Sequence, residues 1–171
     1  MTGDPVATLA EKHDGDFAGS ADRRDQLRLW LRMLSCTMVI DKRVRSLLGS
    51  EFDTTLPRFD VLAALDRAAE TPLGGLTMGQ LSKALLVSNG NVTALVQTLV
   101  RDGQAETIPS LTDRRASVVR LTPAGATRFR AQAERHHGMI ESLFADLDAQ
   151  ETQALYRLLG RLKASISGAM A

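Results

Sequence analysis

The sequence has few of the residues that metal sites, disulfides and most catalytic sites require. It contains one cysteine, Cys36, so no disulfide can form within the chain and no cysteine pair has metal-ligand spacing. Of three histidines, His136 and His137 are adjacent, and on a helix they point about 100° apart, so they cannot share one metal ion. No Gly-rich phosphate loop or recognisable catalytic acid pair is present. We therefore predict no metal, no cofactor and no enzymatic activity.

Long apolar runs are also absent. The longest, such as MLSCTMVI, fall well short of the roughly 20 residues of a membrane-spanning helix, and the N-terminus lacks the order of regions of a signal peptide. We therefore expect a cytoplasmic protein that does not enter a membrane. With 171 residues, 44% of them hydrophobic and 24% charged, the chain has the size and composition of one globular domain.

Positive charge is concentrated in one segment, although the net charge is only +1. Residues 101–130 contain six arginines and three acidic residues, a net charge of +3, which leaves −2 for the rest of the chain. Within this segment, GQAETIPSLTDRRASVVRLTPAG has two strand-like runs around Asp113, Arg114 and Arg115. The pattern predicts a β-hairpin with a basic tip.

Apolar periodicity predicts helices on both sides of this hairpin. Residues 1–20 have no such periodicity, and we expect a flexible tail. The helix that begins near Arg23 has two apolar stripes, so it needs more than one partner surface. A second helix begins near Pro57, and a third runs from Thr122 and Pro123 to about Leu147. A last, leucine-rich helix follows a capping-box spacing at Asp148 and Glu151. In the second helix we expect burial of Phe59, Leu62, Ala63 and Leu65.

The segment LTMGQLSKALLVSNGNVTALVQTLVRDG predicts two short helices joined by a tight turn. Thr77 and Gln80 have capping-box spacing at the start of the first helix, and Ser88 can cap the second. Gly103 can end the second helix in a left-handed conformation. We expect burial of Leu81, Ala84 and Leu85 in the first helix and of Val92, Leu95, Val96 and Leu99 in the second.

Helix, turn, helix and hairpin follow each other in the order of a winged helix. In such domains the second helix enters the major groove of DNA, while the hairpin contacts the backbone or the minor groove. Arg114 and Arg115 are therefore expected to meet DNA. The alternative is that the hairpin tip is only solvated surface.

From about Leu27 to Leu162 the chain resembles the MarR family of bacterial transcription regulators, most specifically in LTMGQLSKALLVSNGNVTALVQTLVRDGQAE and DRRASVVRLTPAG. The resemblance implies a mainly α-helical fold with a small β wing. A single domain over residues 21–171 would contain a winged helix-turn-helix lobe, residues 57–122, and dimerisation helices, residues 23–52 and 123–168. It further implies a homodimer on a pseudo-palindromic operator in double-stranded DNA, and a repressor released by a small-molecule effector.

The resemblance also implies the DNA-binding residues. The position of Asn89 is often arginine in the family, and we predict a recognition helix without a basic residue, in which amides read adenine. The alternative for Asn89 and Asn91 is that they only form the start of the helix. The implied DNA-binding residues are Ser88, Asn89, Asn91, Thr93 and Gln97 in the helix and Asp113, Arg114 and Arg115 in the wing, where the aspartate tends to hold the second arginine in place.

The effector implied by the resemblance is a small aromatic or phenolic acid or its CoA ester. The candidate ligand-binding residues are Arg58, Trp30 and Cys36. Arg58 can bind a carboxylate in a bidentate manner, or else pair with a neighbouring acid or face solvent. Apolar neighbours lower the reactivity of Cys36, so we expect a packed core thiol. Two alternatives stay open: a redox-responsive regulator that uses Cys36, and a winged-helix protein-interaction module that does not bind DNA.

Overall fold

The computed structural model describes residues 21–86, 88–109 and 116–168. In these ranges the chain is mostly helical and has one small antiparallel sheet, as predicted. The helices are α1 (Ala21–Phe52), α2 (Leu56–Ala68), α3 (Met78–Leu85), α4 (Asn89–Arg101), α5 (Pro123–Leu143) and α6 (Ala149–Gly168). The strands are β1 (Leu76–Thr77), β2 (Ala105–Pro109) and β3 (Ser117–Leu121). None of the described helices is long and apolar enough to cross a membrane. The predicted tail, residues 1–20, lies outside the described residues.

Helix α2 lies at the centre of the core. It packs against α1, α3, α4, α5 and β3, and Leu62 and Leu65 are completely buried as predicted. The ring centroids of Phe59 and Phe129, on α5, are 5.5 Å apart. Val61 is also completely buried, whereas Ala63 is only half-buried. The predicted set therefore omitted Val61 and wrongly included Ala63 as fully buried, because α2 has neighbours on several sides.

Helix α1 is buried along only part of its length. Val44 and Leu48 are in the core, and among residues 24–52 of α1 these two alone are buried, both beyond Ile40. Earlier in the helix Trp30 is 56% exposed and Cys36 is exposed. The prediction of a packed core thiol is therefore wrong for the single chain, because this part of α1 extends past the elements that cover its C-terminal end.

The helix-turn-helix consists of α3, a short connection that includes Leu86 and Ser88, and α4. Its predicted capping box is confirmed: the Thr77 hydroxyl accepts a hydrogen bond from the Gln80 amide at 3.3 Å, and the Gln80 side chain accepts one from the Thr77 amide at 2.8 Å. Gly103 follows α4 with a φ of +68°, which confirms the left-handed helix end. Ser88 is the N-cap residue of α4, but its side chain makes no capping hydrogen bond. Gly90 and Asn91, in the first turn of α4, are exposed, so water can bond to their amide groups instead.

Helices α3 and α4 pack against each other and against α2, and each buries one face in these contacts. Val92, Val96 and Leu99 are buried in α4 and Leu95 is half-buried, so the predicted stripe is confirmed. In α3 only Leu81 is fully buried. Ala84 is exposed, and its predicted burial is wrong, because the eight-residue α3 contacts the core along one narrow line. That line contains Met78, Leu81 and Leu85.

The sheet has the strand order β1-β3-β2. The two predicted strands pair antiparallel, with Thr107 opposite Val119, and Arg120 binds Glu106 across them at 2.7 Å. Residues 110–115, which include most of the connection between these strands, lie outside the described residues. Strand β1 was not predicted, since two residues are too short to show an alternating pattern.

The C-terminal helices begin where the sequence predicts. The Thr122 hydroxyl accepts a hydrogen bond from the Gly125 amide at 2.9 Å at the start of α5. Asp148 and Glu151 form the predicted capping box of α6 through bonds of 2.9 and 2.8 Å. Helix α5 ends at Leu143, four residues before its predicted end. No residue of α6 is buried by the part of the chain that the structure describes.

Helix α5 approaches the backbone beyond α4 so closely that only glycine fits at position 125. A Cβ atom there would lie 1.8 Å from the Gln104 carbonyl oxygen, whereas a Cβ on Gly138 would meet nothing within 4 Å. We expect Gly125→Ala to lower the free energy of unfolding by about 2 kcal/mol or more. Gly138→Ala, in the same helix, should leave it unchanged or raise it by up to about 1 kcal/mol. Urea denaturation at one protein concentration measures both, and equal effects would contradict the close approach.

Candidate nucleic-acid interface

Helix α4 presents a polar surface opposite its buried stripe. Ser88, Asn91, Thr93 and Gln97 are all exposed. The structure thus places four of the predicted DNA-binding residues on the surface of one helix and its N-cap. Asn89 lies in the first turn of α4, but its side chain is outside what the structure describes. The predicted wing residues, Asp113, Arg114 and Arg115, lie outside the described residues.

The exposed residues of α4 differ in direction. At about 100° per residue, Asn91 and Thr93 lie on opposite flanks, each about 100° from the buried Val92. Gln97 lies closer to the outermost line of the helix. Asn91 and Gln97 are separated by about 9 Å along the axis and point about 120° apart, so they cannot contact the same base.

One basic residue of this surface was missed. Arg101 forms the last turn of α4, so the prediction of a recognition helix without a basic residue is wrong. Its side chain is 73% exposed and its Nε lies 3.6 Å from an oxygen of Asp102. The sequence shows that Arg101 is close to the end of the helix. Whether its side chain belongs to the exposed surface of α4 depends on how far the helix continues before Gly103. On the helix it follows Gln97 at an interval of four residues, so both share the outer line.

The three predicted ligand-binding residues do not come together within one chain. Arg58 is half-buried at the start of α2 and lies 4.0 Å from Asp102, at the end of α4. Trp30 lies on the exposed part of α1, about 15 Å along the helix from Ile40. Cys36 is on the same exposed part. Arg58 thus has the acidic neighbour that was its alternative, and the ligand-binding role of the three residues stays a prediction.

A different polar cluster lies inside the junction of α1, α2 and α5. Gln132 is fully buried, and both polar atoms of its side-chain amide lack a hydrogen-bond partner among the described residues. His136 is one turn farther along α5, and its ring centroid is 5.1 Å from that of Phe59. Asp60, the next residue of α2, is half-buried. We call Asp60, Gln132 and His136 the junction cluster.

Burial disfavours the charged forms of Asp60 and His136 in the junction cluster. It raises the pKa of the Asp60 carboxyl above its usual range, against the attraction of His136, Arg45 and Arg67. Burial likewise lowers the pKa of the His136 imidazole, against the attraction of Asp60. The sequence carried one signal of this cluster, since Phe129, Gln132 and His136 occur at helical spacing and put two polar residues on the buried face of α5.

Comparisons with known proteins agree with this architecture. A model of the MarR family matches residues 52–116, which contain the whole helix-turn-helix and β2 and end directly before β3. The transcriptional activatory protein BadR of Rhodopseudomonas palustris is 29% identical over 157 residues, 88% of each chain. The multiple antibiotic resistance protein MarR of Salmonella typhimurium is 32% identical over 115 residues, 66% of this chain and 76% of the relative.

The fold is shared with solved structures as well. A mutant of Escherichia coli MarR complexed with operator DNA superposes with a TM-score of 0.67 at 27% identity, over 81% of this chain and 95% of that one. The similarity therefore includes the terminal helices as well as the winged lobe. From the family match, the identity to curated relatives and the shared architecture, the chain belongs to the MarR family of winged-helix transcription regulators.

Proposed function

We propose that this chain is a transcription regulator that binds a specific double-stranded DNA sequence as a homodimer and releases it when a small molecule binds. The observation that carries the proposal is the exposed polar surface of α4, with Asn91 and Gln97, on a helix whose other side is buried in a winged lobe. The operator complex of the Escherichia coli relative supports the same use of this lobe.

In the proposed complex α4 lies in the major groove. The amides of Asn91 and Gln97 each match the donor and acceptor that adenine presents there, and Arg101 meets a phosphate or a guanine. Arg114 and Arg115, in the hairpin connection, neutralise phosphates or enter the minor groove. The helix then determines sequence preference and the hairpin supplies mostly sequence-independent affinity.

The exposed apolar residues of the terminal helices support a homodimer. In α6 all of them except Tyr156 lie within about 100° of one another around the helix and form one continuous face. The unburied half of α1 carries a second apolar surface. We infer that two copies cover these surfaces around a two-fold axis, so that a pseudo-palindromic operator matches the symmetry of the protein. The exposed large apolar residues are Leu29, Trp30, Leu34, Met38 and Val39 in α1 and Leu155, Tyr156, Leu158, Leu159, Leu162 and Ile166 in α6.

The junction cluster supports an effector site between the terminal helices and the DNA-binding lobe. A buried amide without partners destabilises the fold unless a ligand or water bonds to it, and Gln132 offers both a donor and an acceptor. The rings of Phe59 and Phe129 offer apolar surface nearby. A small aromatic acid or phenol has both a polar group that can bond to Gln132 and a ring that can pack against Phe59 and Phe129. Asp60 favours a ligand hydroxyl over a bare carboxylate, since an ionised Asp60 repels a second negative charge.

Separate substitutions in α4 and the hairpin connection test the DNA-binding function. Asn91→Ala should weaken binding to a duplex enriched from a random pool by the wild-type chain about 5- to 150-fold and change binding to random DNA little. Arg115→Ala should weaken both and lower the salt dependence by about one counterion. Fluorescence anisotropy at several salt concentrations measures these effects. Gln153→Ala, which removes an exposed amide from α6, outside the winged lobe, is the control. Equal losses on both duplexes for both variants would exclude this division of roles.

A charge placed in the apolar face of α6 tests the homodimer. Leu159→Asp should weaken self-association at least about 30-fold, because it buries an unpaired charge in the proposed interface. Gln153→Asp introduces the same charge about 180° from Leu162, on the other side of the helix, and should leave association unchanged. Sedimentation velocity over a concentration series distinguishes them. A wild-type chain that stays monomeric at micromolar concentration would disprove the dimer.

The pH dependence of stability tests the environment of His136. Its pKa in the folded chain is below 6.5, so its protonation favours unfolding and stability should fall as the pH decreases through 6.5. The raised pKa of Asp60 acts in the opposite direction, because protonation of this carboxyl favours the folded chain. Between pH 7.5 and 5.5, His136→Gln should reduce the loss of stability in urea denaturation. His137→Gln, at an exposed neighbour, should retain the wild-type loss, and the reverse result would contradict the assignment.

A further inference from the structure

The turn between α3 and α4 contains an apolar side chain almost completely exposed to water. Leu86 is 91% exposed, more than any other large apolar residue in the described ranges. Such a side chain gains almost no burial from the described residues of its own chain, and it belongs to the helix-turn-helix, not to α1 or α6, which form the proposed dimer interface. Its exposure therefore has no explanation in the core or in the proposed dimer interface.

The backbone of Leu86 is also unfavourable for leucine. Its φ of +56° and ψ of +35° place it in the left-handed region, which destabilises residues with a bulky side chain. Asp53 is the other described residue besides glycine with a positive φ, but a short polar side chain tolerates this region. Glycine or asparagine at position 86 would give a more stable turn. A residue that is both strained and exposed indicates a role outside folding.

The position of Leu86 connects it to the DNA-binding surface. Its amide donates a hydrogen bond to the Ser82 carbonyl oxygen and so ends α3, and α4 begins three residues later. In a helix-turn-helix the N-terminal part of the second helix contacts base edges. Leu86 therefore lies next to the end of α4 that carries Ser88 and Asn91, both exposed.

We propose that Leu86 is a specificity-determining residue that packs against the C5-methyl group of a thymine beside the base read by Asn91. The thymine methyl is the apolar group that base pairs present in the major groove, and an apolar side chain recognises it by contact. The proposal rests on the proposed DNA-binding function and adds a second kind of base contact to it. Amides that read adenine and a leucine that reads thymine together favour A·T pairs in each half-site.

Removal of single methyl groups from the DNA tests this contact directly. The probe is the duplex enriched by the wild-type chain, with each thymine of one half-site replaced in turn by deoxyuridine. At one position the wild-type chain should lose about 4-fold in affinity, the effect of one buried methyl group. Leu86→Asn should bind the unmodified duplex more weakly than wild type and show no further loss at that position. Leu86→Met, which keeps an apolar side chain, should retain the methyl-dependent loss.

The melting temperature distinguishes a role of Leu86 in DNA recognition from a role in folding. Leu86→Asn should raise the melting temperature, because asparagine tolerates the left-handed backbone, while it weakens binding to the enriched duplex. A lower melting temperature together with weaker binding would instead assign Leu86 a structural role and overturn the proposal. Losses of the same factor on enriched and random duplexes would also overturn it, since they indicate contact with the sugar-phosphate backbone.

The binding measurements distinguish a failure of the leucine contact from a failure of the proposed DNA-binding function. If the wild-type chain enriches no duplex and binds none with salt-dependent affinity, the proposed DNA-binding function is wrong and the leucine contact with it. If Asn91→Ala lowers specific binding but no deoxyuridine position affects wild-type affinity, DNA reading by α4 stands and the leucine contact is wrong.

Discussion

The contact between the start of α5 and the turn beyond α4 holds the recognition helix, the hairpin and the long C-terminal helix in one arrangement. The Thr122 amide donates to the Gln104 carbonyl oxygen at 3.1 Å, and the Thr122 hydroxyl donates to that of Gly103 at 2.7 Å. Gly125 then lies against the same backbone with no room for a Cβ atom. These bonds form directly before β2 and directly after β3, so they close the base of the hairpin as well.

Helix α2 joins this lobe to the terminal helices through three consecutive residues. Arg58 reaches toward Asp102 at the end of α4, Phe59 packs against Phe129 and His136 of α5, and Asp60 belongs to the junction cluster. A ligand that bound the cluster would therefore contact the same helix turn that touches the recognition helix. One helix thus contacts both regions, and it could transmit binding between them if it had two alternative positions.

The C-terminal end of α1 is attached to α5 by further polar contacts. Arg128 donates to the Phe52 carbonyl oxygen at 2.5 Å, and Arg135 forms a two-point ion pair with Glu51 at 2.6 and 2.7 Å. Both arginines are on exposed surface, so each contact stabilises the fold modestly. Their main effect is to fix the direction in which α1 leaves the core.

Local sequence signals predicted the parts of this structure that depend on neighbouring residues. The capping boxes at Thr77 and Asp148 and the glycine at position 103 need only a few residues of sequence, and all three are confirmed. The predicted burial of Ala84 and Cys36 was wrong, because burial depends on which distant segments of the chain pack against a residue. Strand β1 exists only because β3 pairs with it, and the junction cluster exists only because α2 and α5 cross at Phe59. No periodic pattern within one helix contains that information.

Because there is no space for a Cβ atom at Gly125, the N-terminal end of α5 is fixed relative to the winged lobe. A helix of 21 residues is about 31 Å long, so a change of about 5° in its direction moves the far end by about 3 Å relative to the lobe. The near end cannot absorb such a rotation by sliding, because backbone already touches backbone there. In a dimer held by its terminal helices, the distance between the two recognition helices would thus follow the angle of α5. Successive major grooves on one side of B-DNA are about 34 Å apart, and a displacement of a few ångströms is enough to remove one α4 from its groove.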